Sequence, residues 1–264
     1  MAIKNKSTAK VHVALAGAGG RMGSRVIRLI SEFPQLRLTA LLERNSELAR
    51  LGKPDNIIVT DDPNQAVSTA DVLIDFSVPS IVTQVAPICA EHNTAYLIAT
   101  TGLDAHDLAA IKQAAHKIAV LKAANLSLGV NVLLDLVERT ANTLGNAFEV
   151  EISEIHHRYK RDAPSGTALA LGAAIERGRG TLKSVYGRHG IGESRSSDEI
   201  GYAALRGGDV AGEHTVFFFG ENERIELTHR ANSADIFARG ALVATSWLAA
   251  KPAGRYTMRD VLHN

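Results

Sequence analysis

The chain has 264 residues, 29 basic and 28 acidic side chains, and one cysteine. That length holds one large or two modest domains, and the near balance of charge gives no field to draw nucleic acid or an acidic membrane surface, so a small polar metabolite is the expected partner. A lone Cys89 excludes an intramolecular disulfide and a cysteine-based metal cluster, which fits a reducing, cytoplasmic setting.

The amino-terminal stretch Ala2-Ile3-Lys4-Asn5-Lys6 is charged and lacks an apolar core segment, so it reads as neither a secretory leader nor a membrane span. Residues 11–16 are an apolar run ending in Gly17-Ala18-Gly19-Gly20-Arg21-Met22-Gly23, and residues 24–33 show helical spacing at Val26, Ile27 and Ile30. This is strand, glycine turn, helix. A second strand over 36–42 stops at Glu43-Arg44, and a loop leads to a strand over 57–60 and a helix over 63–67. Then come strand 72–76, helix 81–91, strand 95–99, a Thr100-Thr101-Gly102 turn, helix 105–116 and strand 119–122. The alternation predicts a Rossmann-like α/β domain, a parallel sheet with helices on both faces.

Near Asn125 the pattern changes to a helix over 129–144, a strand over 148–156 and a helix over 168–176. Past a Gly/Ser/Arg-rich loop, 201–206, 213–219 and 224–230 read as antiparallel strands joined by Gly207-Gly208-Asp209 and Gly220-Glu221-Asn222 turns. The expectation is an inserted α+β domain with a mixed or antiparallel sheet over 126–235, inside a dinucleotide-binding domain made of 1–125 and completed by 236–264. An apolar helix over 236–250 returns the chain to the first domain. Phe217 and Phe219 fall on one face of their strand, Val216 and Phe218 on the other, so the sheet is expected to be apolar on both sides. One side packs on helices and the other needs a partner, which predicts an oligomer through the sheet.

A strand feeding a glycine turn and a helix sets backbone N–H groups and the positive helix end against a pyrophosphate. Twenty residues beyond Gly23, Glu43 can bind both ribose hydroxyls of NAD, while Arg44 can pair with the 2′-phosphate of NADP. Either dinucleotide is expected. The densest chemistry lies in Glu154-Ile-His-His-Arg-Tyr-Lys-Arg-Asp-Ala-Pro-Ser-Gly-Thr167, at a strand-to-helix corner. A helix starting near Ser165 or Gly166 leaves N–H groups free, the Ser165 and Thr167 hydroxyls add donors, Lys160 adds charge, and Gly166 admits a ligand close to the backbone. That is a seat for a carboxylate or phosphate. His156 or His157 titrates near neutral pH and could move a proton.

This segment resembles the His-His-x-x-Lys-x-Asp-Ala-Pro-Ser-Gly-Thr-Ala signature of the 4-hydroxy-tetrahydrodipicolinate reductase family. Gly-Ala-Gly-Gly-Arg-Met-Gly is similar to that family's cofactor turn, and the likeness continues through Arg206-Gly-Gly-Asp-Val-Ala-Gly-Glu-His214 to the tail. The resemblance implies NADH- or NADPH-dependent reduction of a small cyclic dicarboxylate on the diaminopimelate route to lysine, by a homotetramer. It implies that Gly17, Ala18, Gly19, Gly20, Arg21 and Met22 hold the pyrophosphate and that Glu43 and Arg44 hold the adenosine ribose. Ala99, Thr100 and Thr101 would flank the nicotinamide, with Ala123, Ala124, Asn125 and Leu126 as the hinge below it. His156 would be the acid, with Lys160 as second donor or charge stabiliser; His157, Ser165, Gly166 and Thr167 would hold a ring carboxylate. Ala99, Leu126 and Ala234 depart from the family's usual Gly, Phe and Arg.

Rival readings are another two-domain NAD(P)-dependent dehydrogenase and an NAD(H)-sensing regulator without activity. A semialdehyde dehydrogenase needs an exposed cysteine nucleophile, whereas Cys89 sits within a predicted helix as a packing residue. A regulator has no use for the donors between Lys160 and Thr167. A metal on His156 and His157 conflicts with the opposite facing of adjacent strand residues, and Asp75 and Glu213-His214 read as caps and turn residues.

Overall fold

The computed structural model describes residues 10–52 and 54–263. The charged amino-terminal stretch read as neither leader nor span lies outside the described residues. The first elements in chain order are β1 (Val11–Ala16), α1 (Arg21–Leu29), β2 (Leu36–Leu42), α2 (Asn45–Leu51), β3 (Ile58–Thr60), α3 (Pro63–Val67), β4 (Val72–Asp75), α4 (Val82–His92), β5 (Ala95–Ile98), α5 (Ala105–Ala114) and β6 (Ala119–Lys122). They are followed by α6 (Leu128–Leu144), β7 (Glu149–His156), α7 (Gly166–Arg179), β8 (Lys183–Tyr186), β9 (Glu199–Arg206), β10 (Gly212–Gly220), β11 (Glu223–Ala231), α8 (Asp235–Leu248), β12 (Gly254–Tyr256) and α9 (Met258–Leu262). The described residues form two compact units, one running to Ser127 and resuming at Asp235, the other Leu128–Ala234.

In the first unit seven strands pair in the order β12-β6-β5-β4-β1-β2-β3, all parallel. Helices cover both faces of such a sheet, so its central strands are buried: all four residues of β4, Asp75 included, and all four of β5. Local chemistry starts the helices. The Asp62 carboxylate accepts from the Asn64 amide ahead of α3, and Asp104 with Asp107 forms a capping box on α5. From β1 the chain goes first to β2 on one side and later to β4 on the other, so the order reverses there, and the crevice beyond the carboxyl ends of β1 and β4 is the topological switch point. Three short elements were not foreseen: α2 in a presumed loop, and β12 and α9 beyond the tail helix. Each has three to seven residues and too few positions to carry a periodic signature.

The second unit has the strand order β11-β10-β7-β9-β8. The expected run of three antiparallel strands is corrected. Strands β10 and β11 do form an antiparallel hairpin through Glu221 and Asn222, but β9 lies parallel to β7, and β7 separates it from β10. The reason is where Gly207-Gly208-Asp209 spends its hydrogen bonds. The Gly207 amide donates to the His156 carbonyl at 2.9 Å, and the Gly208 and Val210 carbonyls accept from the amides of Arg158 and His157. The segment therefore crosses the end of β7 instead of turning back on β9. An unforeseen parallel strand, β8, extends the sheet beside β9.

The inner face of this sheet presents Val150, Ile152, Ile200, Tyr202, Val216 and Phe218 to Leu133, Val137 and Ala141 of α6 and to Ala168, Leu171, Ala174 and Ile175 of α7. The expectation that the other face is apolar is also corrected. Phe217 and Phe219 do stack there, with centroids 5.6 Å apart, but their cross-strand neighbours are Glu226 and Arg224 on one side and Glu151 and Glu149 on the other. The outer surface of β10 is an aromatic island bordered by charge. Among the described residues no helix is long and apolar enough to cross a membrane.

Candidate active site

In the first unit the turn after β1 is built on backbone contacts that leave no room for a side chain. Gly17 has φ +75°, and a Cβ on it would lie 2.6 Å from the Phe76 carbonyl oxygen; a Cβ on Gly23 would lie 2.2 Å from the Gly17 carbonyl oxygen. Gly20 is the N-cap of α1, and no side chain caps that helix. A cavity of about 500 Å³ opens here, lined by Gly17, Gly19, Gly20, Glu43 and Arg44 together with the Phe76–Val78 segment after β4. Ala18, Arg21 and Met22 do not line it; Ala18 is buried beneath the turn. The Glu43 carboxylate accepts from the amides of Gly19 at 2.9 Å and Arg44 at 3.0 Å, while the Arg44 side chain extends into solvent. Uncapped helix donors, a backbone that excludes Cβ atoms, and a carboxylate at the end of the second strand together fit a dinucleotide.

Thr100, Thr101 and Ala124 border a second cavity of about 210 Å³ with Lys122. Ala99, Ala123, Asn125 and Leu126 stay behind it: the amides of Ala99 and Ala123 bond the Asp75 and Ile98 carbonyls, and the Asn125 side chain accepts from Ser127. Leu126 is buried with α8 packed on its carbonyl, where a Cβ on Gly240 would come within 1.8 Å. Beneath these loops Asp75, expected to be a turn residue, is fully buried. Its carboxylate accepts from the Ser77 amide and hydroxyl, the Thr100 hydroxyl and the Tyr96 hydroxyl, so it ties the loop after β4 to the loop after β5. Burial and this carboxylate hold the Tyr96 hydroxyl well above its usual pKa. Cys89 lies buried within α4 and burial pushes its thiol up, so it is no nucleophile.

The second unit gathers the rest. His156, the last residue of β7, is buried on the inner side, and its Nδ1 meets the Glu154 carboxylate. That carboxylate is saturated: Arg206 donates through Nη1 at 2.8 Å and Nη2 at 2.7 Å, and the Ser165 amide donates at 3.1 Å. Burial works to raise the Glu154 pKa, but the bonds from Arg206 and His156 outweigh it and hold the group below its usual range. Burial pulls the His156 imidazole down despite Glu154. His214, expected in a turn, is instead an inward-facing residue of β10; its ring stands edge-on to His156 with centroids 5.0 Å apart, and burial depresses its pKa to about 4.

Ser165 caps α7, its Oγ accepting from the Ala168 amide at 3.1 Å and meeting His214 Nε2 at 3.0 Å. The hydroxyl expected to face a ligand is therefore buried and spent inside the unit. Gly166 and Thr167 form the first turn of α7, with open space where a Gly166 Cβ would stand. The Lys160 ammonium pairs with Asp162 at 2.9 and 3.0 Å. The His157 amide bonds the Val210 carbonyl, and its Nδ1 is buried with no hydrogen-bond partner among the described residues. Glu154, Arg206 and His214 were not foreseen in these positions. Strand periodicity held the clue, because Glu154 and His156 continue the inward-facing series Val150, Ile152.

Comparison with known proteins identifies the family. Residues 11–126 match the family model described as dihydrodipicolinate reductase, N-terminus, and residues 129–262 match the one for its C-terminus. The chain is 48% identical over 261 residues to a 4-hydroxy-tetrahydrodipicolinate reductase of Anaeromyxobacter sp. (strain Fw109-5), covering 96% of this chain and 97% of that protein. It is 42% identical over 264 residues to the protein of that name from Syntrophotalea carbinolica, covering 96% and 98%. Its fold is similar to that of a dipicolinate-bound dihydrodipicolinate reductase from Paenisporosarcina sp. TG-14, with a TM-score of 0.78 at 23% identity over 94% of this chain and 97% of the other. Family models over both units and relatives of this identity lead to one conclusion: the chain belongs to the dihydrodipicolinate reductase family, an oxidoreductase whose cofactor is NADH or NADPH.

Proposed function

We propose that this chain reduces 4-hydroxy-tetrahydrodipicolinate to tetrahydrodipicolinate in the diaminopimelate route to lysine. The observation that carries the reading is that one carboxylate, Glu154, bonds both the His156 imidazole and the amide at the start of α7. A proton source and an anion seat are thereby fixed to each other. The glycine turn Gly17–Gly20 would hold the pyrophosphate, Glu43 and Arg44 the adenosine ribose, and Thr100, Thr101 and Ala124 the nicotinamide side. When bound, the reduced nicotinamide supplies hydride.

His156 then gives a proton to the ring as negative charge develops there. The Gly166 and Thr167 amides, at the positive end of α7, hold a ring carboxylate, with His157 bordering it and Ser165 shaping the turn through its cap. Lys160 adds a cation once that carboxylate displaces Asp162. The stacked Phe217 and Phe219 support an oligomer assembled through the outer face of the five-stranded sheet; the family resemblance makes it a homotetramer in the cytoplasm, and sedimentation at micromolar protein would test the subunit number.

The decisive assay follows oxidation of NADH and of NADPH with freshly generated 4-hydroxy-tetrahydrodipicolinate. Turnover is expected with at least one; silence with both would favour the sensing regulator. His156→Gln should lower kcat by about two to four orders of magnitude with much less effect on KM, because a positioned acid acts in the transition state. Lys160→Ala should damage both parameters. Near wild-type turnover in either variant would remove that residue from the mechanism.

A further inference from the structure

His156 has two ring nitrogens, and a proton donor works only if the correct one faces the substrate. The fold settles which. Glu154 Oε1 already accepts from Arg206 Nη2 and the Ser165 amide, and Oε2 from Arg206 Nη1, so a guanidinium that is always charged stands against this carboxylate and keeps it ionised. An ionised carboxylate only accepts; the contact at His156 Nδ1 must therefore be Nδ1–H donating to Oε2. The other nitrogen, Nε2, lies over Gly212, where a Cβ would stand 2.9 Å away. No side chain at that position covers it.

We propose that Glu154 is a positioning residue: anchored by Arg206 and the Ser165 amide, it takes the Nδ1–H of His156 and so makes Nε2 the atom that passes a proton to the substrate. The inference rests on the reading of His156 as the acid. In the step, Nε2–H⁺ loses its proton to the atom that carries the developing negative charge, and the N–H electron pair stays on the ring. The imidazole is left neutral with Nδ1–H still on Glu154. The charged and titratable groups facing His156 are Glu154 on its own strand, Arg206 from β9, His214 from β10 with His229 of β11 behind it, and Lys160 with Asp162 from the following loop.

Two substitutions should act in opposite directions. Glu154→Gln removes the one negative charge bonded to His156, so the limb where kcat falls with rising pH should move down by about 1–3 pH units. It should also lower kcat at least tenfold. Arg206→Gln removes a cation that opposes protonation of His156, so the same limb should move up. Glu154→Asp keeps the charge and should restore the limb while still loosening the fold. A merely structural role for Glu154 would make the Asp and Gln variants alike and move neither limb.

Nitrogen-15 shifts of the His156 ring in the intact enzyme, assigned by loss of the signal in His156→Gln, report tautomer and titration without turnover. The Nδ1–H form is expected in wild type and its loss in Glu154→Gln. An Nε2–H form in wild type, or limbs that move together in the Gln variants, overturns the proposal. Should Glu154→Gln fail to fold, Glu154→Asp and Arg206→Gln still decide by the position of their limbs. A ring that titrates as expected while the kcat limb stays fixed upholds the tautomer and instead removes His156 as the acid.

Discussion

The starts of α1 and α7 look alike in sequence, each a small-residue turn opening a helix, yet the structure uses them differently. At α1 the N-cap is Gly20 with no side chain serving it, and the glycines flanking it answer to the protein's own backbone, Gly17 against Phe76 and Gly23 against Gly17. At α7 the cap is a buried Ser165 whose hydroxyl serves the Ala168 amide and His214, while a Cβ on Gly166 would meet open space. In one turn the glycines make the fold and the donors are left over. In the other the donors are partly used, and no crowding inside the unit calls for a glycine at 166; on the proposed function it admits the carboxylate of the substrate.

The largest effect that sharpens this contrast is acid destabilisation of the α7 start. His214 titrates near 4 in the folded chain, against about 6.5 when unfolded. Between those values only the unfolded chain takes up the proton, so this stability is full above pH 6.5 and is lost as pH falls towards 4, by roughly 3 kcal/mol in all. Urea midpoints at pH 7 and 4.5 should fall much further apart in wild type than in His214→Gln. Equal drops would mean that His214 titrates normally and that the Ser165 cap stands without it.

Next comes Gly23→Ala, which forces a methyl onto the Gly17 carbonyl and Ala18 backbone. Overpacking of this kind costs about 2 kcal/mol, and displacement of the turn should weaken NADH binding at least tenfold, read by denaturation and by fluorescence titration. A variant that binds NADH normally would show that the turn is not the pyrophosphate seat. Ser165→Ala is milder, about 1–2 kcal/mol, from loss of the cap and of the partner of His214 Nε2. Its loss should shrink when the same comparison is made in His214→Gln; additive losses would mean that the two groups are not coupled.

How much of this was legible follows from the range of the interactions. The strand, glycine turn and helix at residues 11–29 could be read because such a unit is written in local spacing, and the start of α7 near Ser165 because helix-start signals act over a few residues. The buried cluster around His156 could not be assembled the same way. Arg206 lies 52 residues from Glu154 in sequence, and the two meet only because β9 runs parallel beside β7, the pairing that the Gly207-Gly208-Asp209 turn signal misassigned. Hairpin chemistry predicts a neighbour in sequence, whereas the hydrogen bonds of that segment went to residues 156–158. The Glu154 and His156 pair was within reach, since two polar residues on the inner face of an otherwise apolar strand call for partners.

The smallest expected effect on stability is the most telling about function. Gly166→Ala puts a methyl into open space at the first residue of α7, where alanine suits a helix better than glycine does, so stability should change by no more than about 0.5 kcal/mol. The same methyl stands in the path of anything that approaches the Gly166 and Thr167 amides. If a ring carboxylate sits there, KM for the dicarboxylate should rise about tenfold with KM for the dinucleotide unchanged, because only ground-state and transition-state binding of that group is lost together. Stability and both KM values unchanged would leave Gly166 without a role and move the carboxylate seat elsewhere on this unit, towards Lys160. A stability loss as large as that of Gly23→Ala would mean that the two helix starts are built alike after all.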